Sequence, residues 1–251
     1  MRGLFSFLLM VVRSRVVCED RMMKSRMVAA IFDIEGTLFR GQMGRGFIAY
    51  ARRNGRAWHA NLYFLGIMPK YLGYLTGIIP ARSLNHDAIQ RMPLLIRGYT
   101  QAQADQAYRW VAHEYILPSA YPDILDRWWY HQQRGHHTFI VSGGLDPCVA
   151  HIADELKADG YWGTKVEEAK GKLSGRIIPP VVIGEGKRQA VHRMVEMGGL
   201  EVDWSASYAY ADSLHDLSVL EMVGHPVAVY PDDRLAQIAG ERGWKIIQRE
   251  E

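Results

Sequence analysis

Short apolar runs that end in small or acidic residues recur along this chain. The first is VAAIFD (28–33), which is rich in strand-forming residues and stops at an aspartate before a glycine turn. A short apolar run bounded by turn residues is typical of a buried strand. The same pattern predicts four further strands, HTFIVSGG, YAYADS, PVAVY and WKII, at 137–144, 208–213, 226–230 and 244–247.

Stretches with helical spacing lie between these runs. They cover about 146–157, 186–197, 215–222 and 232–242. Strands that alternate with helices are typical of a parallel sheet with helices on both faces. The expected fold class is therefore α/β, a doubly wound, Rossmann-like parallel sheet. The segment KVEEAKGKLSGRIIP (165–179), with turn signals at Gly171 and Gly175, predicts a β-excursion beside that sheet.

About one hundred residues between the first two predicted strands break the alternation. Residues 41–119 are rich in Leu, Tyr, Phe and Trp at helical spacing, which predicts a helical insertion. The α/β core is then formed by 27–40 and 120–251. Residues 1–26 are expected to be a loosely ordered extension. Their apolar run GLFSFLLMVV (3–12) is too short to span a bilayer, and a peripheral membrane anchor is the alternative.

Composition adds few constraints. Of 251 residues, 48% are hydrophobic and 23% are charged, which is ordinary for a soluble globular protein. The net charge of +3 gives no reason to expect a nucleic-acid partner. Cys18 and Cys148 form no CxxC pair, which favours a reducing, cytoplasmic setting over a disulfide or structural zinc framework.

The charges are distributed unevenly. Residues 36–86 contain no Asp or Glu, against seven basic residues, Arg40, Arg45, Arg52, Arg53, Arg56, Lys70 and Arg82. A solvated basic face is the ordinary interpretation, and the absence of acids gives an anion-facing surface equal weight. The aromatic residues of RAWHANLYFLGIMPKYLGYLTGIIPAR (56–82) are most simply explained by helix packing.

Candidate chemistry lies at the predicted strand ends. Asp33, Ser142 and Asp212 occupy three of these ends, and Lys187 begins a predicted helix. An aspartate is a suitable nucleophile towards a phosphoryl group, and Mg²⁺ prefers carboxylate and phosphate oxygens. Asp33 and Asp212, with Asp216 nearby, would supply the carboxylates, while Lys187 and Ser142 would hold the phosphate. Taken singly, each signal is weak. An aspartate after a strand is often only a helix cap, Ser-Gly-Gly is often only a turn, and a lysine at a helix start is usually exposed.

The order of these stretches carries a family resemblance. FDIEGTL, IVSGG, GEGK and YADSLHD resemble, in sequence order, the four motifs of the haloacid dehalogenase superfamily of phosphatases. YADSLHDLSVLEMVGHPVAVYPDDRLAQIAGERGW is similar to the C-terminal portion of the phosphoserine-phosphatase-like subfamily IB. The similarity covers roughly 28–42 and 120–247. It implies a Mg²⁺-dependent phosphomonoester hydrolase with an aspartyl-phosphate intermediate, and a cap formed by the insertion.

The resemblance implies a role for each matching position. Asp33 would be the nucleophile and a Mg²⁺ ligand. Glu35 would act as general acid and base and give its backbone carbonyl to the metal. Thr37 would help to orient the site.

The later motifs complete the set that the resemblance implies. Ser142 and Gly143 would bind the phosphoryl group, and Lys187 would neutralise it. Asp212 would ligate Mg²⁺ directly. Asp216 would support the metal through water or hold Lys187.

Glu35 departs from the family pattern, which has Asp at this position. Glutamate adds a methylene, and a misplacement of about 1 Å costs on the order of 100-fold in rate. It nevertheless keeps the same group at nearly the same intrinsic pKa. We therefore expect a working phosphatase. A phosphotransferase that uses the same intermediate and a non-catalytic phosphate-binding relative are the alternatives.

The residues that follow the first motif bear on the substrate. Enzymes for phosphoserine have an acidic residue there to hold its ammonium, whereas this chain offers Gln42 between Arg40 and Arg45. The expected substrate is therefore a different small or lipid-like phosphomonoester, with a second anionic group or an apolar tail. Peripheral membrane contact through the N-terminus or the basic insertion would fit the latter.

Overall fold

The computed structural model describes residues 26–249, without the side chains of 81 and 82. The predicted N-terminal extension, except for its last residue, lies outside the described residues. Within 26–249, six parallel strands form one sheet in the order β3-β2-β1-β6-β7-β8. The strands are β1 Ala29–Phe32, β2 His137–Leu145, β3 Gly160–Thr164, β6 Tyr208–Ala211, β7 His225–Val229 and β8 Lys245–Ile247. The predicted α/β fold class is confirmed.

The central strand shows why the sheet is covered on both faces. All four residues of β1 are buried, and alternate side chains enter different apolar clusters. Ala30 and Phe32 join one cluster, and Ala29 and Ile31 join the other. Helices cover these faces, α5 Pro122–Gln133, α6 Asp146–Leu156, α7 Glu185–Met197, α8 Leu217–Leu220 and α9 Asp233–Glu241. Burial on both faces explains the continuous apolar run in the sequence.

One strand gives almost no signal in the sequence. β3 reads GYWGT and pairs with the end of β2 at the edge of the sheet. A Cβ on Gly163 would lie 2.6 Å from the Asp146 Cα, so this glycine permits a close approach to the start of α6. The expected β-excursion is the antiparallel pair β4 Val166–Ala169 and β5 Lys172–Ile177.

The segment between β1 and β2 is helical, as expected for 41–119. It contains α1 Met43–Arg53, α2 Ala57–Leu75, α3 Ala81–Arg91 and α4 Gln101–Trp110, together with single-turn stretches at Met92–Ile96, Val111–Ile116 and Leu117–Ser119. Phe47, Met92 and Tyr108 from this segment share an apolar cluster with Phe32 and Trp128 of the sheet side. Among residues 26–249, no helix combines the length and the apolar character needed to cross a bilayer.

Aromatic packing differs from the expectation in α2, and α5 also leaves aromatic side chains exposed. In α2, Tyr63 is buried, but Trp58, Phe64, Tyr71 and Tyr74 are between 41% and 53% exposed. Helix packing therefore does not explain most of these aromatics. In α5, the first of three consecutive aromatics, Trp128, is buried, while Trp129 and Tyr130 reach solvent.

Candidate active site

The parallel register brings the predicted strand-end residues to one edge of the sheet. Phe32 of β1 is level with Tyr210 of β6, so Asp33 and Asp212 leave adjacent strands almost side by side. The backbone N–H of Asp33 donates to the Tyr210 carbonyl at 3.1 Å. Ser142 lies on the other neighbour of β1 and is buried. Open α/β sheets place their ligand sites at this carboxyl end.

Lys187 reaches this edge from the first turn of α7. Its ammonium lies 2.6 Å from Asp33 Oδ1 and also contacts Asp216 Oδ1. Ser213 Oγ donates to the other oxygen of Asp216 at 3.1 Å. Burial alone would lower the pKa of Lys187, but the charges of Asp216 and Asp33 raise it above its usual value. The lysine is therefore a fixed positive charge at the strand ends.

Three carboxylates cluster at this edge of the sheet, and two of them contact the Lys187 ammonium. Oxygens of Asp33, Asp212 and Asp216 lie within 4.8 Å of one another. Burial raises the pKa of Asp33 to about 6 even though Lys187 opposes the shift. Burial, reinforced by the charge of Asp33, likewise raises the pKa of Asp212. The cluster has more negative than positive charge and offers hard oxygen donors, so it fits a divalent cation such as Mg²⁺.

Two neighbours of the first motif shape the same space. Gly36 adopts φ +84°, and a Cβ there would lie 2.2 Å from Asp212 Oδ2. In the turn after β1, the backbone of Gly36 therefore lies directly against the Asp212 carboxylate. Thr37 is buried, and its Oγ1 has no hydrogen-bond partner among the described residues. A buried hydroxyl of this kind costs free energy unless a ligand or water satisfies it.

Glu35 makes a contact that its sequence position does not reveal. Its Oε1 accepts a 2.8 Å hydrogen bond from the backbone N–H of Met43, the first residue of α1. Burial raises the pKa of Glu35 to about 7; the Met43 N–H opposes this shift and the charge of Asp33 adds to it. The side chain therefore caps the first helix of the insertion while it borders the carboxylate cluster.

The serine–glycine segment forms the opposite side of the site. Ser142 Oγ accepts a 3.1 Å hydrogen bond from the N–H of Gly144. The carbonyl of Gly143 accepts a 2.9 Å hydrogen bond from Thr164 Oγ1, which fixes the segment to β3. A Cβ on Gly143 would lie 2.9 Å from Ile89 Cδ1 of α3. The glycine therefore lets the helical insertion pack closely against the site.

A cleft of about 700 Å³ extends from the carboxylates between the sheet edge and α1–α3. All the predicted site residues line it except Thr37, which is buried behind it. Arg249, near the end of the chain, also lines the cleft, and no motif indicates it. His215, in a 3₁₀ turn, also lines the cleft, and its Nε2 lies 3.1 Å from Asn85 Nδ2.

The described basic side chains between 36 and 86 have different surroundings. Arg40 and Arg45 line the cleft. Arg53 and Arg56 lie over aromatic rings, and Lys70 pairs with Asp87 at 2.8 Å. Of these basic residues, Arg40 and Arg45 are the two whose described side chains line the cleft. They are what the cleft retains of the anion-facing surface expected from the sequence.

A larger groove, of about 1270 Å³, lies at the other end of the sheet. Tyr208, His225 and Lys245, which begin β6, β7 and β8, line it. It is far from the carboxylates and at the amino end of the strands. The carboxyl-end cleft is therefore the candidate active site.

Known proteins resemble this chain over most of its length. The family profile of haloacid dehalogenase-like hydrolases matches residues 30–221. Phosphoserine phosphatase SerB1 of Mycobacterium tuberculosis is 29% identical over 87% of the chain and 70% of its own length. A histidinol-phosphatase of Neisseria meningitidis is 26% identical over 87% of the chain and 97% of its own length.

A solved structure also resembles this chain over most of its length. A Bordetella pertussis protein of unknown function aligns with a TM-score of 0.74 and 25% identity, covering 89% of this chain and 99% of that one. The family predicted from the four ordered motifs is confirmed. This chain belongs to the haloacid dehalogenase-like hydrolase family.

Proposed function

We propose that this chain is a Mg²⁺-dependent phosphomonoester hydrolase with Asp33 as its nucleophile. The observation that carries the proposal is the Asp33–Lys187–Asp216 contact beside Asp212 at one edge of the sheet. A buried lysine held between carboxylates is a fixed charge for a phosphoryl group. Phosphatase activity in general also agrees with the names of both relatives.

In the first step, a carboxylate oxygen of Asp33 attacks phosphorus. The phosphorus–oxygen bond to the leaving alcohol breaks, and its electron pair stays on that oxygen. Glu35, whose raised pKa of about 7 keeps much of it protonated near neutral pH, donates its proton to the leaving oxygen. The phosphoryl group is then covalently bound to Asp33, while Lys187 and Ser142 hold its non-bridging oxygens.

In the second step, water attacks the same phosphorus. Glu35, now ionised, takes a proton from that water, and the bond between phosphorus and the Asp33 oxygen breaks. The carboxylate of Asp33 is restored, and inorganic phosphate leaves. Each group therefore returns to its starting state after one turnover.

Mg²⁺ would be held by the carboxylates of Asp33 and Asp212 and by the backbone carbonyl of Glu35. Bound there, it would neutralise charge on the transferring phosphoryl group. Asp216, which contacts Lys187, keeps that ammonium directed at Asp33. Thr37, whose buried hydroxyl lacks a partner among the described residues, would orient the turn around this site.

The lining of the cleft supports a substrate without an ammonium group. Its acidic residues, among the described ones, are the four at the reaction centre. Arg40, Arg45 and Arg249 add positive charge further out, and α1–α3 contribute a largely apolar wall. The two relatives are named for phosphoserine and histidinol phosphate, and both of these compounds carry an ammonium group. We therefore infer a phosphomonoester with an apolar body or a second anion.

The test is phosphate release with and without Mg²⁺ on a panel of alkyl, acyl-glycerol, sugar and amino-acid phosphates. Wild-type protein should turn over with Mg²⁺, Asp33→Asn should not, and alkyl or acyl-glycerol phosphates should exceed phosphoserine in kcat/KM. No turnover above Asp33→Asn on any substrate would overturn the proposal. Addition of an alcohol acceptor separates hydrolysis from phosphotransfer, because a transferase would form a new ester at the expense of inorganic phosphate.

A further inference from the structure

Helix α2 presents its apolar side to solvent. None of the described residues 64–75 is buried, although the stretch FLGIMPKYLGYL has a single charged side chain, Lys70. A helix on a soluble domain normally turns its apolar stripe inwards and its polar side outwards. In this stretch of α2, most of the large apolar side chains are exposed instead.

Besides Tyr63 and Ile67, which pack in or against the apolar cluster, the inward side of α2 carries small and polar residues. A Cβ on Gly66 would lie 2.7 Å from Arg91 Nη1, and one on Gly73 would lie 2.7 Å from Ile79 Cδ1. Between them, Lys70 donates to Asp87 Oδ1 at 2.8 Å. Three- and four-residue steps place Gly66, Lys70 and Gly73 on one side of the helix. This side of α2 therefore contacts Arg91 of α3 and Ile79, which precedes α3, while most of the large apolar side chains of the helix point away from them.

The outward face consists of large apolar side chains. Leu65 is 71% exposed, Leu75 is 61% exposed, and Ile78, just beyond the helix, is 79% exposed. We define the outward face of α2 as the exposed residues Leu62, Phe64, Leu65, Met68, Tyr71, Leu72, Tyr74, Leu75 and Ile78. A contiguous exposed apolar patch on a soluble protein marks a site of interaction.

The chemistry of this face favours a lipid surface over a protein partner. Specific protein interfaces carry about ten hydrogen bonds, whereas the polar groups of this face are limited to tyrosine hydroxyls. Tyrosine is enriched where a protein meets the boundary between lipid headgroups and hydrocarbon. The exposed cations Arg40 and Arg45 line the cleft that this face borders, and the sequence has no acid from 36 to 86. That charge complements anionic headgroups.

We propose that the outward face of α2 docks on an anionic lipid surface. The active-site cleft opens at the same place, since Phe64, Met68 and Tyr71 belong to this face and also line the cleft. Docking would place the mouth of the cleft at the level of the headgroups. The binding itself requires neither metal nor turnover and goes beyond the proposed reaction.

The test is sedimentation of the full chain with sucrose-loaded phosphatidylcholine vesicles, with and without 30% phosphatidylglycerol. The test variant is Leu65→Gln/Ile78→Gln, whose side chains are exposed and lie outside the cleft lining. The matched control is Ile178→Gln/Met197→Gln, two exposed apolar residues on other elements, 48% and 78% exposed. Asp33→Asn is run in parallel.

We expect the anionic vesicles to bind wild type, Asp33→Asn and the control equally. The test variant should bind at least ten-fold more weakly, and added salt or neutral vesicles should weaken binding of every form. Equal binding by the test variant would overturn the proposal, since another segment would then be responsible. A wild-type dimer that the test variant abolishes, without vesicle binding, would assign the face to a second copy of the chain. Docking by a protein that hydrolyses nothing would contradict the proposed function alone.

Discussion

The Glu35 side chain links the carboxylate cluster to the helical insertion. Its carboxylate accepts a hydrogen bond from the Met43 N–H, which begins α1. Gln42, at the cap position of this helix, makes no side-chain cap, and α1 has no acid in its first turn. A carboxylate at a helix N-terminus satisfies an unpaired N–H and complements the helix dipole. The departure from the family pattern therefore has a structural role beside its proposed catalytic one.

Substitutions at Glu35 should separate these two roles. Glu35→Gln keeps an oxygen for the Met43 N–H but has no proton to transfer, so kcat should fall by about 100-fold or more with little change in Tm. Glu35→Asp should retain part of the activity and lose about 0.5–1 kcal/mol of stability, because the shorter side chain no longer reaches α1. Phosphate-release kinetics and urea unfolding measure these effects. Full activity in Glu35→Gln would exclude it as the acid–base group.

At the scale of elements, the turn after β1 determines how closely the first motif approaches β6. Gly36 combines a left-handed backbone with contact to the Asp212 carboxylate. The sequence predicts the turn, since glycine follows the strand. The contact requires the parallel pairing of β1 with β6, which are separated by most of the chain.

Gly36→Ala should disrupt the site more than it disrupts the fold. The new Cβ would lie 2.2 Å from Asp212 Oδ2 and should displace that carboxylate, so that the stabilisation by Mg²⁺ is lost. Gly55→Ala is the control, because Gly55 also has a positive φ, +69°, with nothing within 4 Å of the added Cβ. Both should cost about 1–2 kcal/mol from backbone strain. An unchanged Mg²⁺ response in Gly36→Ala would contradict the argument.

Helix α5 contributes a buried histidine to the packing of β6. His131 lies 2.8 Å from His136 Nδ1 and 2.9 Å from the Tyr210 hydroxyl. Burial lowers its pKa to about 4, with the charges of His136 and the nearby arginines adding to the shift. The unfolded chain, with a pKa near 6.5, binds this proton more readily than the folded one does.

Stability should therefore fall as the pH drops from about 6.5 towards 4. The loss attributable to His131 is up to about 2 kcal/mol at pH 5, and it is absent above pH 7. His131→Gln should reduce the slope of unfolding free energy against pH in this window. His86→Gln, at an exposed histidine, is the control. Equal slopes in wild type and His131→Gln, measured by urea unfolding, would refute this assignment.

At the scale of the whole molecule, the helical insertion and the sheet share one apolar cluster. Phe47 and Met92 pack in the same cluster as Phe32 and Trp128. Only part of the insertion is tied down in this way, since the outer part of α2 has no buried residue among 64–75. The division into a core and a cap remains a prediction. Because the insertion shares this cluster with the sheet, a truncation that removes the insertion would also remove part of the apolar core.

The excess of buried negative charge should make the molecule respond to Mg²⁺. Saturating Mg²⁺ at 100 times its Kd would add about 2.7 kcal/mol and raise Tm by roughly 5–10 °C. Asp212→Asn should remove this rise, because it deletes one of the three clustered carboxylates. Asp154→Asn, at an exposed aspartate of α6, should keep it. Differential scanning fluorimetry provides the measurement. A wild type insensitive to Mg²⁺ would argue against the metal site.

The sequence by itself determined the parallel sheet, five of its six strands to within two residues at either end, and the set of residues at the strand ends. These features are local, because a buried strand needs an apolar run and a phosphate site needs particular side chains after it. β3 was missed, since GYWGT has no apolar run and is a strand only through its pairing with β2. Arg249 and His215 joined the cleft through contacts between distant segments, which no local pattern encodes.

The orientation of α2 was likewise decided by the tertiary structure. Its sequence is apolar on most sides, so the pattern does not specify which side faces inwards. Gly66 and Gly73 lie close to α3 and to the residues just before it, and Lys70 pairs with Asp87 between them. These contacts determine which side of α2 faces inwards. The large apolar residues of this stretch other than Ile67 were left exposed, and Phe64, Met68 and Tyr71 among them line the cleft.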